Sequence, residues 1–375
     1  MDYSFPYCPK KGCRYHQEHL TLPYTDFEPW GSYFTITFGT VPRFLCHGCG
    51  HTFSTQTFSV DYYAKRKIDY LDLLSRLAET SSLSAIGRAI GASTDSVSNR
   101  ISRACRQAIA FEARLSRLRL PNEHLAADGF ESFCVSQYFP NNIQLLVGRS
   151  SQFVYAADYA TIRRKGAMTT AQRARREALE QVYKADPKAV EKSFGRIVGE
   201  SLRVLSDNAL PYLDLWTDKH RAYPRAIDSS PCAKVLQEQG RLRHQRVSSR
   251  VPRSVDNPLF SVNYLDREIR KDLHEHVRET VCFGRNVNRQ MERLALYLFE
   301  HNFRRKHRAR WKGSSHAIVA GYEAGEIAKE LRLIWKRRAM LSFTALDESR
   351  KATWRRLRQT PLGKTPDYLP AYAVG

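Results

Sequence analysis

Four cysteines near the start of the chain have the spacing of a metal site. Cys8 and Cys13 form one pair in CPKKGC, and Cys46 and Cys49 form a second pair in CHGCG. A tetrahedral zinc ion takes four thiolate or imidazole ligands, and each short knuckle can supply two of them. The sequence therefore predicts a structural zinc site made by these four cysteines.

The surrounding residues favour a zinc ribbon but leave its ligand set open. Between the two pairs, Ser32 to Phe38 alternates in character and is rich in β-branched and aromatic residues, as in the strands of a ribbon. Each of three nearby histidines could replace one cysteine as a ligand: His16, His47 and His51. Buried free thiols are the alternative interpretation of the cysteine pairs.

Two aspartates further along the chain could share a second kind of metal site. Asp128 lies in an extended stretch that begins at Leu125, and Asp218 ends the strand-like segment from Tyr212. The order of predicted elements from 122 to about 300 is strand, strand, strand, helix, strand, which is the order of a ribonuclease H-like fold. The helix acts as a crossover, so the fourth strand is expected to lie parallel beside the first. Facing carboxylates at that position can hold divalent metal ions for hydrolysis or transfer at a phosphodiester.

A third acid should come from the helix after a fifth strand, predicted at 242–247. Taking Leu265, Ile269, Leu273 and Val277 as the buried stripe of a helix from 263 to 279 places Asp266 nearest the centre of that stripe. The competing acids lie further from the stripe or in the preceding loop: Asp272, Glu268, Glu275 and Asp256. A helical wheel of this segment therefore favours Asp266 as the third acid. A lone aspartate of this kind can also be a helix cap or a solvated charge.

Between these two regions the pattern is that of a helix-turn-helix. Helical periodicity begins near Arg66, Gly91 supplies a turn, and Ser93 is placed to cap a third helix that continues to Pro121. The face of this third helix opposite its apolar side carries four polar residues, and it is predicted to contact bases and phosphates: Asp95, Asn99, Arg103 and Arg106. An ordinary three-helix packing unit is the alternative.

The charge balance points to a polyanionic partner. Sixty Lys and Arg residues against 38 Asp and Glu residues leave a net charge of +22 over 375 residues. The basic residues are spread along the whole chain rather than along one amphipathic helix, which favours nucleic acid over a membrane surface. No apolar run is long enough to span a bilayer and no signal peptide is evident. We therefore expect no membrane association and a cytoplasmic location, on the bacterial nucleoid.

These motifs together resemble insertion-element transposases that have a DDE-type ribonuclease H-like core behind a zinc ribbon and a helix-turn-helix. The resemblance covers about 1 to 305 and is strongest in CHGCGHTFS, in the segment Leu215–Tyr223 (LWTDKHRAY), and in VNYLDR leading to Arg285. It implies that Asp128, Asp218 and Asp266 hold two magnesium or manganese ions. Counting back from Cys282-Phe283 could instead place Asn263 at the position of the third catalytic acid.

The resemblance also implies a fold and a set of partners. The expected fold is α/β, with a ribonuclease H-like mixed sheet preceded by a small zinc ribbon and a helical domain, and followed by a basic helical tail. The expected domains are residues 1–60 for the ribbon, 61–120 for the helix-turn-helix, 121–305 for the catalytic domain and 306–375 for the extension. The expected partners are double-stranded DNA, as transposon ends and target, and further copies of the chain assembled on it.

Two alternatives to a transposase remain at this point. A non-catalytic DNA-binding regulator derived from a transposase would have no need of all three acids, and a nuclease could use the same core. In the tail, Trp311, Trp335 and Trp354 are interleaved with lysines and arginines, which favours additional DNA contact through stacking. A solvated helical appendage is the other interpretation of the tail.

Overall fold

A computed structural model describes residues 7–17, 26–79, 81–248, 250–308, 314–363 and 367–374. Its strands are β1 (Phe27–Thr35), β2 (Gly39–Cys46), β3 (Thr52–Ser54), β4 (Leu125–Phe133), β5 (Pro140–Gly148), β6 (Val154–Thr161), β7 (Leu213–Thr217) and β8 (Leu242–Arg246). Its helices are α1 (Tyr70–Ala78), α2 (Leu83–Ile90), α3 (Thr94–Leu115), α4 (Thr170–Glu180), α5 (Ala189–Asp207), α6 (Ala222–Asp228), α7 (Pro231–Glu238), α8 (Phe260–Asp272), α9 (Val287–Phe299), α10 (His316–Val319), α11 (Ala324–Leu333) and α12 (Glu348–Arg355).

The strands form two separate sheets. The small sheet has the order β1-β2-β3 and is antiparallel throughout. The large sheet has the order β6-β5-β4-β7-β8: β5 pairs antiparallel with β4 and β6, while β7 pairs parallel with β4 and β8. The fold is thus mixed α/β, as expected, with a mixed sheet of five strands. The expected parallel pairing of the first and fourth strands of this sheet is confirmed.

Helices cover both faces of the large sheet. Alternate β4 residues point to opposite faces because strand side chains alternate with period two. Leu125 and Ala127 belong to the core that contains Phe194 of α5, whereas Ala126 and Phe130 belong to the core that contains Leu265 of α8. β5 lies between β4 and β6 and is buried on both sides from residue 141 to residue 148. This packing fixes the register of β4 and, with it, the face from which Asp128 projects.

Capping side chains set the starts of the three helices that precede the large sheet. Asp69, Ser82 and Ser93 each accept a hydrogen bond from a backbone N–H in the first turn of α1, α2 and α3. Gly91 ends α2 with a φ of +64°, a left-handed conformation that glycine adopts without steric cost. The predicted turn at Gly91 and cap at Ser93 are therefore confirmed.

The helix predicted from 263 to 279 is shorter than expected. α8 ends at Asp272, Leu273 is extended, and His274–His276 forms a separate 3₁₀ turn. His276 is fully buried and its ring packs edge-on against Phe130 of β4. A continuous helix would carry this segment away from the sheet. Burial of His276 against the sheet therefore ends the helix earlier than its apolar periodicity predicts.

The C-terminal segment packs against the rest of the chain, contrary to the expectation of a DNA-stacking tail. Trp354 is completely buried, and its indole Nε1 donates to the carbonyl of Ala373. Trp335 stacks on Tyr70 of α1 with ring centroids 5.2 Å apart. Trp311 lies outside the described residues. These two tryptophans are therefore packing residues, because their faces are covered by protein. Across the described residues, no helix is both long and apolar enough to cross a membrane.

Candidate active site and metal centre

The four cysteines predicted as metal ligands come together beside the small sheet. The Sγ atoms of Cys8, Cys13, Cys46 and Cys49 all lie within 4.8 Å of one another. Cys8 Sγ is 3.6 Å from Cys49 Sγ, and Cys13 Sγ is 3.8 Å from Cys46 Sγ. Four thiols at this spacing can hold a metal ion such as zinc.

The three histidines left open as alternative ligands have other roles. The His16 ring bonds through Nδ1 to the carbonyl of Cys8 at 2.7 Å and stacks on Phe343. His47 is exposed and faces Glu28 at 3.8 Å, and His51 is exposed. No histidine belongs to the clustered group among the described residues, so the four cysteines are the candidate ligand set there.

The chemistry of this cluster fits a zinc ion. Burial raises the pKa of the Cys8 thiol and of the Cys46 thiol, so neither would ionise at neutral pH without a cation. The hydrophobic core around the cluster is small, with Phe27 and Phe53 as its buried aromatic residues. A core of this size contributes little stability, which is the usual situation of a fold held by a structural metal.

The large sheet brings Asp128 and Asp218 level with each other. β4 and β7 pair in parallel with Leu125 opposite Leu215 and Ala126 opposite Trp216. Asp128 and Asp218 are each two residues further along, so they lie side by side on the same face, with Asp218 one residue past the end of β7. The Asp218 carboxylate accepts a hydrogen bond from the His220 backbone N–H at 2.7 Å.

Asp266 reaches the same face of the sheet from α8. Val262, Leu265 and Ile269 form the buried side of α8 and share a core with β4 and β5. Asp266 is only 9% exposed on that side, and its Oδ1 is buried without a hydrogen-bond partner among the described residues. A buried carboxylate oxygen without a partner is costly, which is the condition that a bound cation would relieve.

The three carboxyl groups interact electrostatically. Burial and the nearby Asp218 raise the pKa of Asp128 to about 6, partly offset by hydrogen bonds from the Gly129 N–H and the Tyr223 hydroxyl. Burial and the nearby Asp128 raise the pKa of Asp266 well above its ordinary value. Asp128 is therefore close to both other acids, and mutual repulsion in this group favours a bound cation.

The competing acids of α8 and the following turn are paired with cations instead. Asp272 accepts hydrogen bonds from Tyr297 and Arg305, at 2.9 and 2.8 Å. Glu275 pairs with Arg293, and Glu268 pairs with Lys271 at 3.1 Å. Asp256 is exposed in the preceding loop. Within the part of the chain that the structure describes, Asp266 thus differs from its neighbours in being buried without a cationic partner at ion-pair distance.

Two further residues shape this site, and neither was given a role from the sequence. The Tyr223 hydroxyl donates to Asp128 Oδ1 at 3.3 Å. A Cβ at Gly129 would press against the side-chain amides of Asn142 and Gln144, so a larger residue after Asp128 would require these side chains to move. Tyr223 follows Asp218 by five residues in the segment LWTDKHRAY, and this proximity in sequence was the available sign that it lies near the aspartates.

The aspartates are more widely spaced than the cysteines. Among the described residues, only the four cysteines form a group of three or more potential ligands within 4.8 Å of one another. Two divalent ions bound together lie about 3.5–4 Å apart, so carboxylates on either side of such a pair need not approach each other within that limit. The carboxylates and the unpartnered Asp266 oxygen are oxygen donors, the ligand type that hard divalent cations prefer.

The predicted DNA-contacting face of α3 is only partly available. Asp95 and Asn99 are exposed near the start of the helix. Arg106 is completely buried and pairs with Glu292 of α9 at 2.8 Å, so the prediction that it contacts DNA is wrong. Arg103 is half-buried, and its guanidinium donates to the carbonyls of Val60 and Tyr62. Helical periodicity located this face but could not show that α9 and the C-terminal segment cover its second half.

No model of a known protein family matches this chain, and no curated protein matches its sequence.

Proposed function

We propose that the protein is a DNA transposase of an insertion element, acting through Asp128, Asp218 and Asp266. The observation that carries the proposal is the approach of these three carboxylates on one face of the large sheet, from β4, the end of β7 and α8. Three acids from separate elements are rarely brought close together without a cation, because their repulsion and burial are unfavourable.

The topology of the large sheet supports a ribonuclease H-like core. The strand order is third, second, first, fourth, fifth when the strands are counted along the chain from β4. The second strand is antiparallel to its neighbours, and the fourth and fifth follow the direction of the first. This is the arrangement that the order of elements in the sequence favoured, and it places two of the acids on adjacent parallel strands.

The three aspartates would hold two magnesium or manganese ions. When bound, these ions would activate water or a 3′ hydroxyl and stabilise the leaving oxygen at a phosphodiester. The chain's own contribution is positional: Asp128 is held by the Gly129 N–H and the Tyr223 hydroxyl, and Asp218 by the His220 N–H. Arg253 lies close enough to lower the pKa of both Asp128 and Asp266, so it can also face a substrate phosphate.

Duplex DNA is the substrate that the charge favours. The chain carries a net charge of +22. Asp95 and Asn99 are exposed at the start of α3, so they can approach a groove of the duplex. We infer that the ribbon and the helical region bind the terminal repeats while the large sheet carries out cleavage and strand transfer. Two active sites are needed to process two ends, so the protein is expected to act as an oligomer on DNA.

Replacing each aspartate tests the proposal. Asp128→Asn, Asp218→Asn and Asp266→Asn should each abolish cleavage in magnesium of a duplex that carries the terminal repeats flanking the gene. DNA binding should stay unchanged or become slightly tighter, because a negative charge near phosphate has been removed. Strand cleavage is measured on labelled duplex, and binding by fluorescence anisotropy.

Glu268→Gln is the matched control, because Glu268 lies on the same helix as Asp266 but pairs with Lys271 at 3.1 Å. This variant should keep full activity. If the wild type cleaves duplexes with and without terminal repeats equally, and the asparagine variants lose that cleavage, a nuclease on the same core is favoured. A wild-type protein that binds the duplex but never cleaves it would leave the DNA-binding regulator as the function.

A further inference from the structure

The hairpin between β1 and β2 presents apolar side chains to solvent. Ile36, at the tip of the hairpin, is 99% exposed, and Phe34, two residues earlier, is 74% exposed. An isoleucine in this position buries no surface, so it contributes nothing to the stability of the ribbon. These two residues form an apolar projection that we call the hairpin tip.

The hairpin tip is held rigidly. Thr35 is paired with Gly39 across the turn, and its hydroxyl donates to the Gly39 carbonyl at 3.4 Å. The same hydroxyl oxygen accepts a hydrogen bond from the Phe38 N–H at 3.0 Å. A side chain on a preorganised turn loses little conformational freedom on binding, which suits a residue that inserts into a partner.

Three exposed cations lie beside the hairpin tip. Residues 65–67 read Lys-Arg-Lys, and all three side chains are exposed. The Thr37 hydroxyl donates to the Lys65 carbonyl at 2.8 Å, and the Lys67 ammonium lies 5.4 Å from the centroid of the Phe38 ring. The apolar tip is thus flanked by positive charge on the segment it contacts.

The same cationic segment connects the hairpin tip to the turn before α3. The Arg66 guanidinium donates to the carbonyl of Gly91, and the Arg66 carbonyl accepts from Arg100 of α3. The exposed start of α3, with Asp95 and Asn99, follows that turn. The hairpin tip, the cations and the start of α3 are therefore linked by direct contacts along one side of the molecule.

We propose that the hairpin tip inserts Ile36 as an apolar wedge into the base stack of duplex DNA, with Lys65 and Lys67 on the flanking phosphates. Proteins that kink DNA insert such apolar residues between base steps and neutralise the adjacent phosphates with lysine or arginine. A second copy of this chain, which itself carries a net charge of +22, would match the apolar side chains but not the three cations beside them. This inference rests on the proposed function, since it assumes that the protein binds DNA.

Binding and bending of a duplex test the inference. The probe is a duplex of about 40 base pairs, roughly four helical turns, labelled at its two ends and mixed with full-length protein at low salt. Ile36→Ser should weaken binding about tenfold and reduce the end-to-end energy transfer that reports bending. Lys65→Gln with Lys67→Gln should reduce the slope of log K against log salt by about 1.8, because each lysine that neutralises a phosphate adds about 0.9 to that slope.

Val281→Ser is the matched control, because Val281 is a β-branched residue that is 93% exposed in a loop outside the ribbon. It should bind and bend the duplex as the wild type does. If Ile36→Ser also binds and bends normally, the wedge is wrong although DNA binding stands. If Ile36→Ser changes only the self-association of the DNA-free protein, the hairpin tip is a protein contact. If the wild type binds no duplex, the proposed function itself fails.

Discussion

Asp128 connects the other parts of the candidate active site. It lies level with Asp218 on the adjacent strand, and its charge contributes to the raised pKa of Asp266. Its Oδ1 accepts from two donors, the Gly129 N–H at 2.8 Å and the Tyr223 hydroxyl at 3.3 Å. Burial and the neighbouring Asp128 raise the pKa of Tyr223 well above its ordinary value, so the hydroxyl stays protonated and can only donate to the carboxylate.

Tyr223 is therefore expected to position Asp128. Tyr223→Phe keeps the buried ring against Phe194 but removes the donor, so the magnesium concentration for half-maximal cleavage should rise about tenfold. Duplex affinity without metal should not change, because the hydroxyl faces the carboxylate and not DNA. The measurement is cleavage rate against magnesium concentration. Tyr297→Phe is the control, since it removes a buried hydrogen bond to Asp272 outside the site; an equal change in both variants would argue against a positioning role.

At the residue scale, a site residue could be predicted from the sequence only where no distant helix or strand packs over its side chain. Asp128 and Asp218 lie at strand segments that the sequence pattern locates, and the parallel pairing of β4 with β7 alone brings the two side chains level with each other. Asp266 follows from helical periodicity, because α8 packs on the sheet by the stripe that includes Leu265 and Ile269. Arg106 was misassigned because a helical wheel identifies a polar face without showing that Glu292 of α9 lies against it.

At the element scale, local signals located most of the structure and tertiary packing changed the rest. The cap at Ser93 and the turn at Gly91 are short-range features, and both were expected from the sequence. The end of α8 is not, because the 3₁₀ turn that replaces its last part is held by burial of His276 against Phe130. The ribbon is an intermediate case: its cysteine spacing is local, but the choice among cysteine and histidine ligands needed the fold.

The ribbon is expected to depend on zinc. Purified protein should contain about one zinc ion per chain, and Cys46→Ser should release it, because no other residue in the described ranges joins the cysteine cluster. Residues of the ribbon should then become sensitive to protease while the main thermal transition remains, since the large sheet has its own core. Zinc is measured by elemental analysis. Cys232→Ser, at an exposed cysteine outside the cluster, should retain the metal; full zinc retention in Cys46→Ser would exclude the assignment.

At the scale of the whole molecule, several arginines serve as internal connections rather than as a surface for DNA. Arg106 of α3 and Arg356 at the end of α12 both pair with the buried Glu292 of α9. Arg358 pairs in the same way with the buried Asp158 of β6, at 2.8 Å. These pairs fasten the C-terminal segment to the large sheet and to the helical region. The positive surface available to a polyanionic partner is consequently smaller than the composition alone indicates.

The Glu292 cluster provides a test that separates stability from DNA recognition. Arg106→Met removes one of two cations from Glu292 and leaves the Trp354 carbonyl without its donor, so the free energy of unfolding should fall by about 3 kcal/mol. Discrimination between terminal-repeat and random duplex should be unchanged in the folded variant, because the side chain is inaccessible. Asn99→Ala should do the opposite, leaving stability intact and reducing the discrimination, since Asn99 is exposed at the start of α3. Urea unfolding and duplex binding measure the two effects. A stable Arg106→Met variant that has lost discrimination would mean that α3 presents its second half to DNA after all.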